Sequence, residues 1–253
     1  MKSLIISDCH DKTDQIQRIM DSEPADEVIL HSDFFDEWKK TEITAVKTAR
    51  KVQEWLRDPR IKCVLGNHDL SYGWGHREGG RQHICSSGWT KEKAIAIHSI
   101  LEPADWLRFQ LHHWIEGWER PFLVTHAGLH LEYVQRSVFK THEQRLARIE
   151  ALCQDAWESL NSHEVGAGHK ILGCGPERTS SNSIATQSVG GLLWCDFTVL
   201  KPIPGINQIV GHTFGQKIRE IRSKTSYNVC IDTALRHYAV VQDGSLHIRE
   251  VKA

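Results

Sequence analysis

No apolar run in the sequence approaches the ~18 residues that a membrane-spanning helix needs; the longest are strand-sized, such as Leu4-Ile5-Ile6 and Val28-Ile29-Leu30. Neither sign of charge is in excess. The 31 Lys and Arg against 32 Asp and Glu leave a net charge of −1, too little to hold a polyanion, so stable nucleic-acid binding is not expected. The seven cysteines are an odd number with no C-x-x-C spacing, which argues against a disulfide framework and a thiolate zinc site. Gly168 and Gly173 have the glycine spacing of a P-loop, but Cys174 stands where its lysine must be. Internal repeats and low-complexity tracts are lacking. Met1 to Asp8 offers three apolar residues before the acidic ones, too few for a secretory core. The expectation is a cytoplasmic protein with no membrane partner.

What the sequence does have is a series of apolar runs that end in chemically capable side chains. Cys63-Val64-Leu65 reads as a buried strand running through Gly66 into Asn67, His68 and Asp69. Leu4-Ile5-Ile6 runs into Asp8 and His10, Val28-Ile29-Leu30 into Asp33 and Asp36, Phe122-Leu123-Val124 into His126, and Ile209-Val210 into Gly211-His212. In open α/β sheets ligands bind at the carboxyl ends of strands, so five such strands predict one shared site. A chain of 253 residues can bury the core of a single domain spanning 1–253, the organisation expected here.

Between these strands, Asp11 to Met20 reads as a short helix with Ile16 and Ile19 inward and Asp11 or Thr13 as its cap. Glu42 to Arg57 places Ile43, Val46, Ala49, Val52 and Leu56 on one helical face, stopped by Asp58-Pro59. The β-α-β-α-β order predicts a parallel sheet. Ser71 to Gly88 reads as a long loop, and helical spacing resumes over Lys91–Leu101 and Ala104–Ile115, with Trp106, Leu107, Leu111 and Trp114 as core. Thr141 and Gln144 form a capping box for the clearest helix, which runs to Leu160. Gly166 to Gly191 reads as a surface loop. Strands follow at Tyr227–Ile231, Tyr238–Val241 and Leu246–Val251, the last two joined by a hairpin at Asp243-Gly244.

Gathering Asp8, His10, Asp33, Asn67, His126 and His212 at one point is costly without cations, since like charges ~4 Å apart repel by about 1 to 4 kcal/mol at dielectrics of 80 to 20. Metal ions reverse that sign, and a donor set of carboxylate, imidazole and amide suits manganese, iron or zinc better than calcium. Two ions ~3.5 to 4 Å apart can clamp the oxygens of an in-line displacement. Phosphoester hydrolysis needs that effect.

Taken in order, Asp8-Cys9-His10, Ser32-Asp33-Phe34-Phe35-Asp36, Gly66-Asn67-His68-Asp69, His126-Ala127-Gly128 and Gly211-His212-Thr213 resemble the signature blocks of the calcineurin-like metallophosphoesterases. Phe214 replaces the second histidine of the Gly-His-x-His block found in many members. Together with Leu192-Leu193-Trp194-Cys195-Asp196, this is similar to the phosphoprotein phosphatase branch, which includes symmetrical diadenosine tetraphosphatases. The resemblance implies an α/β fold of two mixed β-sheets packed as a central sandwich flanked by α-helices. It implies two divalent ions, manganese foremost, with Asp8 and His10 on the first, Asn67, His126 and His212 on the second, and Asp33 bridging. It further implies that a bridging hydroxide attacks phosphorus, that His68 protonates the leaving oxygen and that Asp36 orients His68.

Three departures stand out. Ser32 and Asp11 replace glycines, and Glu37 replaces an arginine that clamps the substrate phosphate. Arg77, Arg81 and Arg178 are the candidates to supply that charge. Glu37 and the long loop favour a phosphorylated small molecule or a nucleotide polyphosphate as substrate; the alternatives are a serine/threonine phosphoprotein substrate and a non-catalytic metal-binding module. His76, His83 and Cys85 are spaced too irregularly for a zinc site. Trp74 and Trp89 read as packing residues, Asp232 as a turn residue, and His112, His113 and His169 carry no signal.

Overall fold

A computed structural model describes residues 1–37, 41–74, 86–134, 141–162, 169–178 and 187–252. Strand β1 (Lys2–Ser7) leads through helix α1 (Thr13–Ser22) to β2 (Glu27–His31), and α2 (Glu42–Arg57) leads to β3 (Ile61–Cys63). Helices α3 (Asn67–Gly73), α4 (Lys91–His98) and α5 (Pro103–Trp106) precede β4 (His113–Ile115) and β5 (Phe122–Val124). Helix α6 (His142–Asn161) is followed by β6 (Asn207–Val210), β7 (Arg219–Arg222), β8 (Tyr227–Cys230), β9 (His237–Gln242) and β10 (Ser245–Glu250).

The strands form two five-stranded sheets, ordered β10-β9-β1-β2-β3 and β4-β5-β6-β8-β7. Both are mixed. β1, β2 and β3 run parallel, as do β5, β6 and β8, while β9, β10, β4 and β7 pair antiparallel. Side chains alternate across a strand, so Ile5 and Ile29 meet Val124, Ile209 and Val229 between the sheets. Leu4, Ile6 and Leu30 face α1 and α2 on the opposite side, with Ile16, Ile19, Ala49 and Val52. This buries β1 on both faces, which is why it reads as a continuous apolar run. The expected sandwich with flanking helices is the fold observed.

Several local expectations are corrected. Ile43 is 82% exposed, because the inward face of α2 is the row Ala45, Thr48, Ala49, Val52, Trp55 and Leu56. Trp55, the bulkiest apolar side chain on that helix, packs 5.7 Å from Phe34 and turns the row containing it inward. The helix expected over Ala104–Ile115 ends after one turn. The chain then pairs with the end of β3, Gln110 N–H donating to the Cys63 carbonyl at 3.0 Å, and continues into β4. Leu107 is accordingly 57% exposed, whereas Trp106 and Leu111 are core as expected and Trp114 is half-buried. The loop expected from Ser71 begins later, since α3 runs to Gly73. Neither Asp11 nor Thr13 caps α1; Asp11 instead accepts from Thr48 Oγ1 at 2.7 Å and from the Glu37 N–H at 3.0 Å.

The Thr141–Gln144 capping box forms as expected. So does the hairpin turn, with Asp243 and Gly244 both at positive φ. Trp74 packs edge-on against Trp106 and Trp157, and Trp89 against the same core. Among the described residues no helix is long and apolar enough to cross a membrane.

Candidate metal centre and catalytic pair

The parallel strands of both sheets point their carboxyl ends at one place. β1 and β2 deliver Asp8, His10, Asp33 and Asp36, and the turn after β3 delivers Asn67 and His68 at the start of α3. β5 and β6 deliver His126 and His212 from the other sheet. Backbone bonds continue past the named strands and hold these ends together: His10 N–H to the Asp33 carbonyl at 2.7 Å, and Gly211 N–H to the His126 carbonyl at 2.7 Å. Glycines permit the close approach. A Cβ at Gly66 would lie 2.2 Å from Asp33 Oδ1, and one at Gly211 would lie 2.1 Å from Asp8 Oδ2.

The side chains gather into two groups that share Asp33. Donor atoms of Asp8, His10 and Asp33 lie within 4.8 Å of one another, and so do those of Asp33, His126 and His212. Asn67 joins the second group, its Oδ1 2.9 Å from both His126 Nε2 and His212 Nδ1. All six residues expected as ligands therefore converge.

The His126 Nδ1 faces the His31 carbonyl at 3.2 Å. A carbonyl only accepts, so Nδ1 carries a proton, and Nε2 is the nitrogen that faces Asn67 Oδ1 and, at 3.3 Å, Asp33 Oδ2. Between that nitrogen and two oxygen acceptors the buried site needs a proton or a cation. The His10 Nδ1 is likewise set against the Phe35 carbonyl, at 3.3 Å, leaving Nε2 for the site.

The charges agree. Burial, with Asp232 and Asp33 nearby, pushes the Asp8 carboxyl well above the usual range. Burial also works to raise Asp33, but the imidazoles of His126, His68 and His10 hold it low. Burial lowers His10. The cluster thus binds a proton or a cation in preference to standing as bare carboxylates. The donors are oxygen and nitrogen without sulfur, so the set fits the divalent ions expected from the sequence.

Beside this cluster, His68 Nδ1 lies 3.1 Å from Asp36 Oδ2. The His68 backbone N–H, an orphan donor at the start of α3, is satisfied by Asp33 Oδ1 at 2.9 Å. Burial opposes protonation of His68, but Asp33 and Asp36 outweigh it and raise its pKa. The His68 side chain is 14% exposed, whereas Asp36 is fully enclosed. Burial would raise Asp36 too, yet hydrogen bonds from His68, Tyr72 and Ser86 keep it low. An imidazolium held at Nδ1 and open at its other nitrogen can give a proton to a leaving group.

Some contributors were missed in the sequence. Asp232 makes a turn bond with the Ala234 N–H at 3.3 Å, but it also faces the Asp8 and His10 charges. Its place after the run Val229-Cys230-Ile231 was the available signal. Tyr72 stands four residues after His68 on α3, one turn along the same face; Ser86 and Lys93 gave none. Glu37 is paired with Lys12 at 3.9 Å. Arg178 ends a 3-10 turn, Pro176–Arg178, while Arg77, Arg81, His76, His83 and Cys85 lie outside the described residues. His112, His113 and His169 bond to Glu150, Glu27 and Asp155, remote from the site.

No curated protein matches the sequence of this chain. Among solved structures, a variant of a cold-active protein tyrosine phosphatase aligns with 98% of this chain and 77% of its own at 12% identity and a TM-score of 0.55. A serine/threonine phosphatase of Saccharomyces cerevisiae with similarity to human PP5 aligns over 100% of this chain and 80% of its own, at 11% identity and a TM-score of 0.50. A hypothetical protein of Pyrococcus horikoshii OT3 does so over 99% and 88%, at 7% identity and a TM-score of 0.50. At these identities the likeness is one of fold. The sequence model of the calcineurin-like phosphoesterases matches residues 1–213, which takes in every residue of the convergent cluster. With the match covering most of the chain and the metal-ready cluster at its strand ends, this protein belongs to the calcineurin-like phosphoesterase family and is a metal-dependent phosphoester hydrolase.

Proposed function

We propose that the chain is a single-domain, dinuclear phosphatase acting on a small phosphomonoester or a nucleotide polyphosphate. The observation that carries this reading is Asp33, shared between the Asp8–His10 group and the His126–His212 group, with the His68–Asp36 pair alongside. Asp8 and His10 would hold one divalent ion, Asn67, His126 and His212 the other, and Asp33 both. Manganese heads the candidates, with iron and zinc next. Bound there, divalent ions neutralise phosphoryl oxygens and lower the pKa of water towards ~7.

The chain's own groups do the rest. The His31 and Phe35 carbonyls fix which nitrogen of His126 and His10 faces the ions. Asp36 holds His68 at Nδ1, and His68 gives a proton to the departing oxygen. Glu37, engaged with Lys12, supplies no phosphate clamp of the arginine kind, which favours substrates that do not depend on one. The second reading, a serine/threonine phosphoprotein phosphatase, rests on the same branch resemblance at Phe214 and the Leu192–Asp196 block, which does not separate protein from nucleotide substrates. The presence of His68 held by Asp36 argues against a module that only binds metal, which needs no proton donor.

The test is turnover, with manganese supplied, of an aryl phosphate, a phosphodiester, a dinucleoside tetraphosphate and a phosphopeptide. Faster hydrolysis of the monoester or tetraphosphate is the expected result; a clear preference for the phosphopeptide would favour the second reading. Metal-loaded protein inert to all four would leave the binding module. Asp33→Asn is expected to lose bound metal, and His68→Asn to keep metal but lose about 10²- to 10⁴-fold in kcat.

A further inference from the structure

We propose that Lys93 is a positioning residue for proton donation: its ammonium fixes the Asp36 carboxylate so that Asp36 holds His68 in register with the leaving oxygen. This rests on the role given above to His68. Lys93 lies on α4, outside every signature block, and is only 7% exposed. Its Nζ lies 3.1 Å from Asp36 Oδ1 and 3.0 Å from the Gly88 carbonyl. Lysine is almost never fully buried unless paired, and here the partner is the acid that orients the catalytic histidine.

The Asp36 carboxylate has about four lone-pair sites on its two oxygens, and four donors fill them. Oδ2 accepts from His68 Nδ1 at 3.1 Å and Ser86 Oγ at 2.9 Å; Oδ1 accepts from Tyr72 Oη at 2.5 Å and Lys93 Nζ at 3.1 Å. The carboxylate cannot rotate to release His68 without breaking the bonds on Oδ1. Lys93 is the anchor whose charge cannot be switched into acceptance, since an ammonium only donates. The surrounding chain is shaped to bring it there. Thr90 Oγ1 caps α4 by accepting the Lys93 N–H at 3.2 Å. Gly88 has a φ of +120°, and a Cβ there would lie 3.0 Å from the Asp36 Cβ. A purely structural ion pair between α4 and Asp36 would stabilise the fold without distinguishing one substrate from another.

A poor leaving group needs the proton and an acidic phenol does not, so the two roles separate on substrates. Rates are measured for an alkyl phosphate and for dinitrophenyl phosphate with wild type, Lys93→Met, His68→Asn and the double variant. Lys93→Met is expected to lose about 10- to 100-fold in kcat on the alkyl ester, less than about 3-fold on the dinitrophenyl ester, with KM unchanged. It should add nothing to His68→Asn on the alkyl ester, the non-additivity of groups that act as a unit. Should Lys93→Met fail to fold, Lys93→Gln, which keeps a donor without the charge, is read by the same ratio. Equal losses on both esters, or no loss on either, would overturn the role of Lys93 provided His68→Asn is selective for the alkyl ester. An unselective His68→Asn would overturn the donor assignment itself, and the present inference with it.

Discussion

Asp8, His10, Asp11, Ser32, Asp33, Asp36 and His212 all hold φ between 33° and 75°. That left-handed region costs a residue with a side chain roughly 1–2 kcal/mol, and it is retained where surrounding structure and function demand it. Ser32 shows the cost most plainly. It stands at φ 33° where the resembling family has glycine, and its buried hydroxyl has no hydrogen-bond partner among the described residues. Ser32→Gly is expected to raise stability by about 1 kcal/mol, read from the urea midpoint, with metal content unchanged; a loss of stability would show that Ser32 is at ease there. The six proposed ligands were legible because each stands within four residues of the end of an apolar run. Tyr72, Ser86 and Lys93 were not, because they reach Asp36 across 36, 50 and 57 residues of sequence. No local pattern encodes contacts that folding alone creates.

At the scale of elements, the strand ends are pressed together by residues that have no side chain to spare. Gly211 follows β6 directly, and any Cβ there would meet Asp8 Oδ2 at 2.1 Å and Ser7 Oγ at 2.4 Å. Gly211→Ala is therefore expected to displace Asp8, weaken metal binding at least about 10-fold and leave the sandwich folded; titration calorimetry with Mn²⁺ checks the first and circular dichroism the second. Secondary structure was legible wherever a segment's own period decided it, as in α6 with its capping box and in the β9–β10 hairpin. It was misread where tertiary pairing overrode local spacing. Residues after Trp106 look helical but extend because Cys63, Leu65 and β5 offer backbone partners. On α2 only Ile43 departs from the expected face: Ala49, Val52 and Leu56 are buried as expected, and Trp55 joins them.

For the molecule as a whole, folding and ion binding are one equilibrium. Removing the ions with a chelator is expected to lower stability, since a ligand present at 100 times its dissociation constant adds about 2.7 kcal/mol; calorimetric melting with and without Mn²⁺ checks this, and an unchanged midpoint would refute it. Acid acts through His31, fully buried beneath His126 with a pKa that burial pushes down to about 3. The unfolded chain takes up that proton near 6.5, so the stability tied to a neutral His31 is complete above pH 6.5 and drains away as pH falls from 6.5 towards 3. Asp8 and Asp232, raised by burial, shift the other way, so the reading is a difference: His31→Leu should gain on wild type by about 2 kcal/mol between pH 7 and pH 5 in urea unfolding. A constant difference would mean that His31 is already charged or solvated. The order of strands carries one more consequence. Leu4 pairs with Val240, so β1 is flanked on one side by a strand that lies more than two hundred residues later in the sequence. During synthesis the apolar ribbon Leu4-Ile5-Ile6 must wait with an open edge while more than two hundred residues emerge, and a ribosome stalled before the final hairpin would leave a sticky, half-built sheet for chaperones to shield.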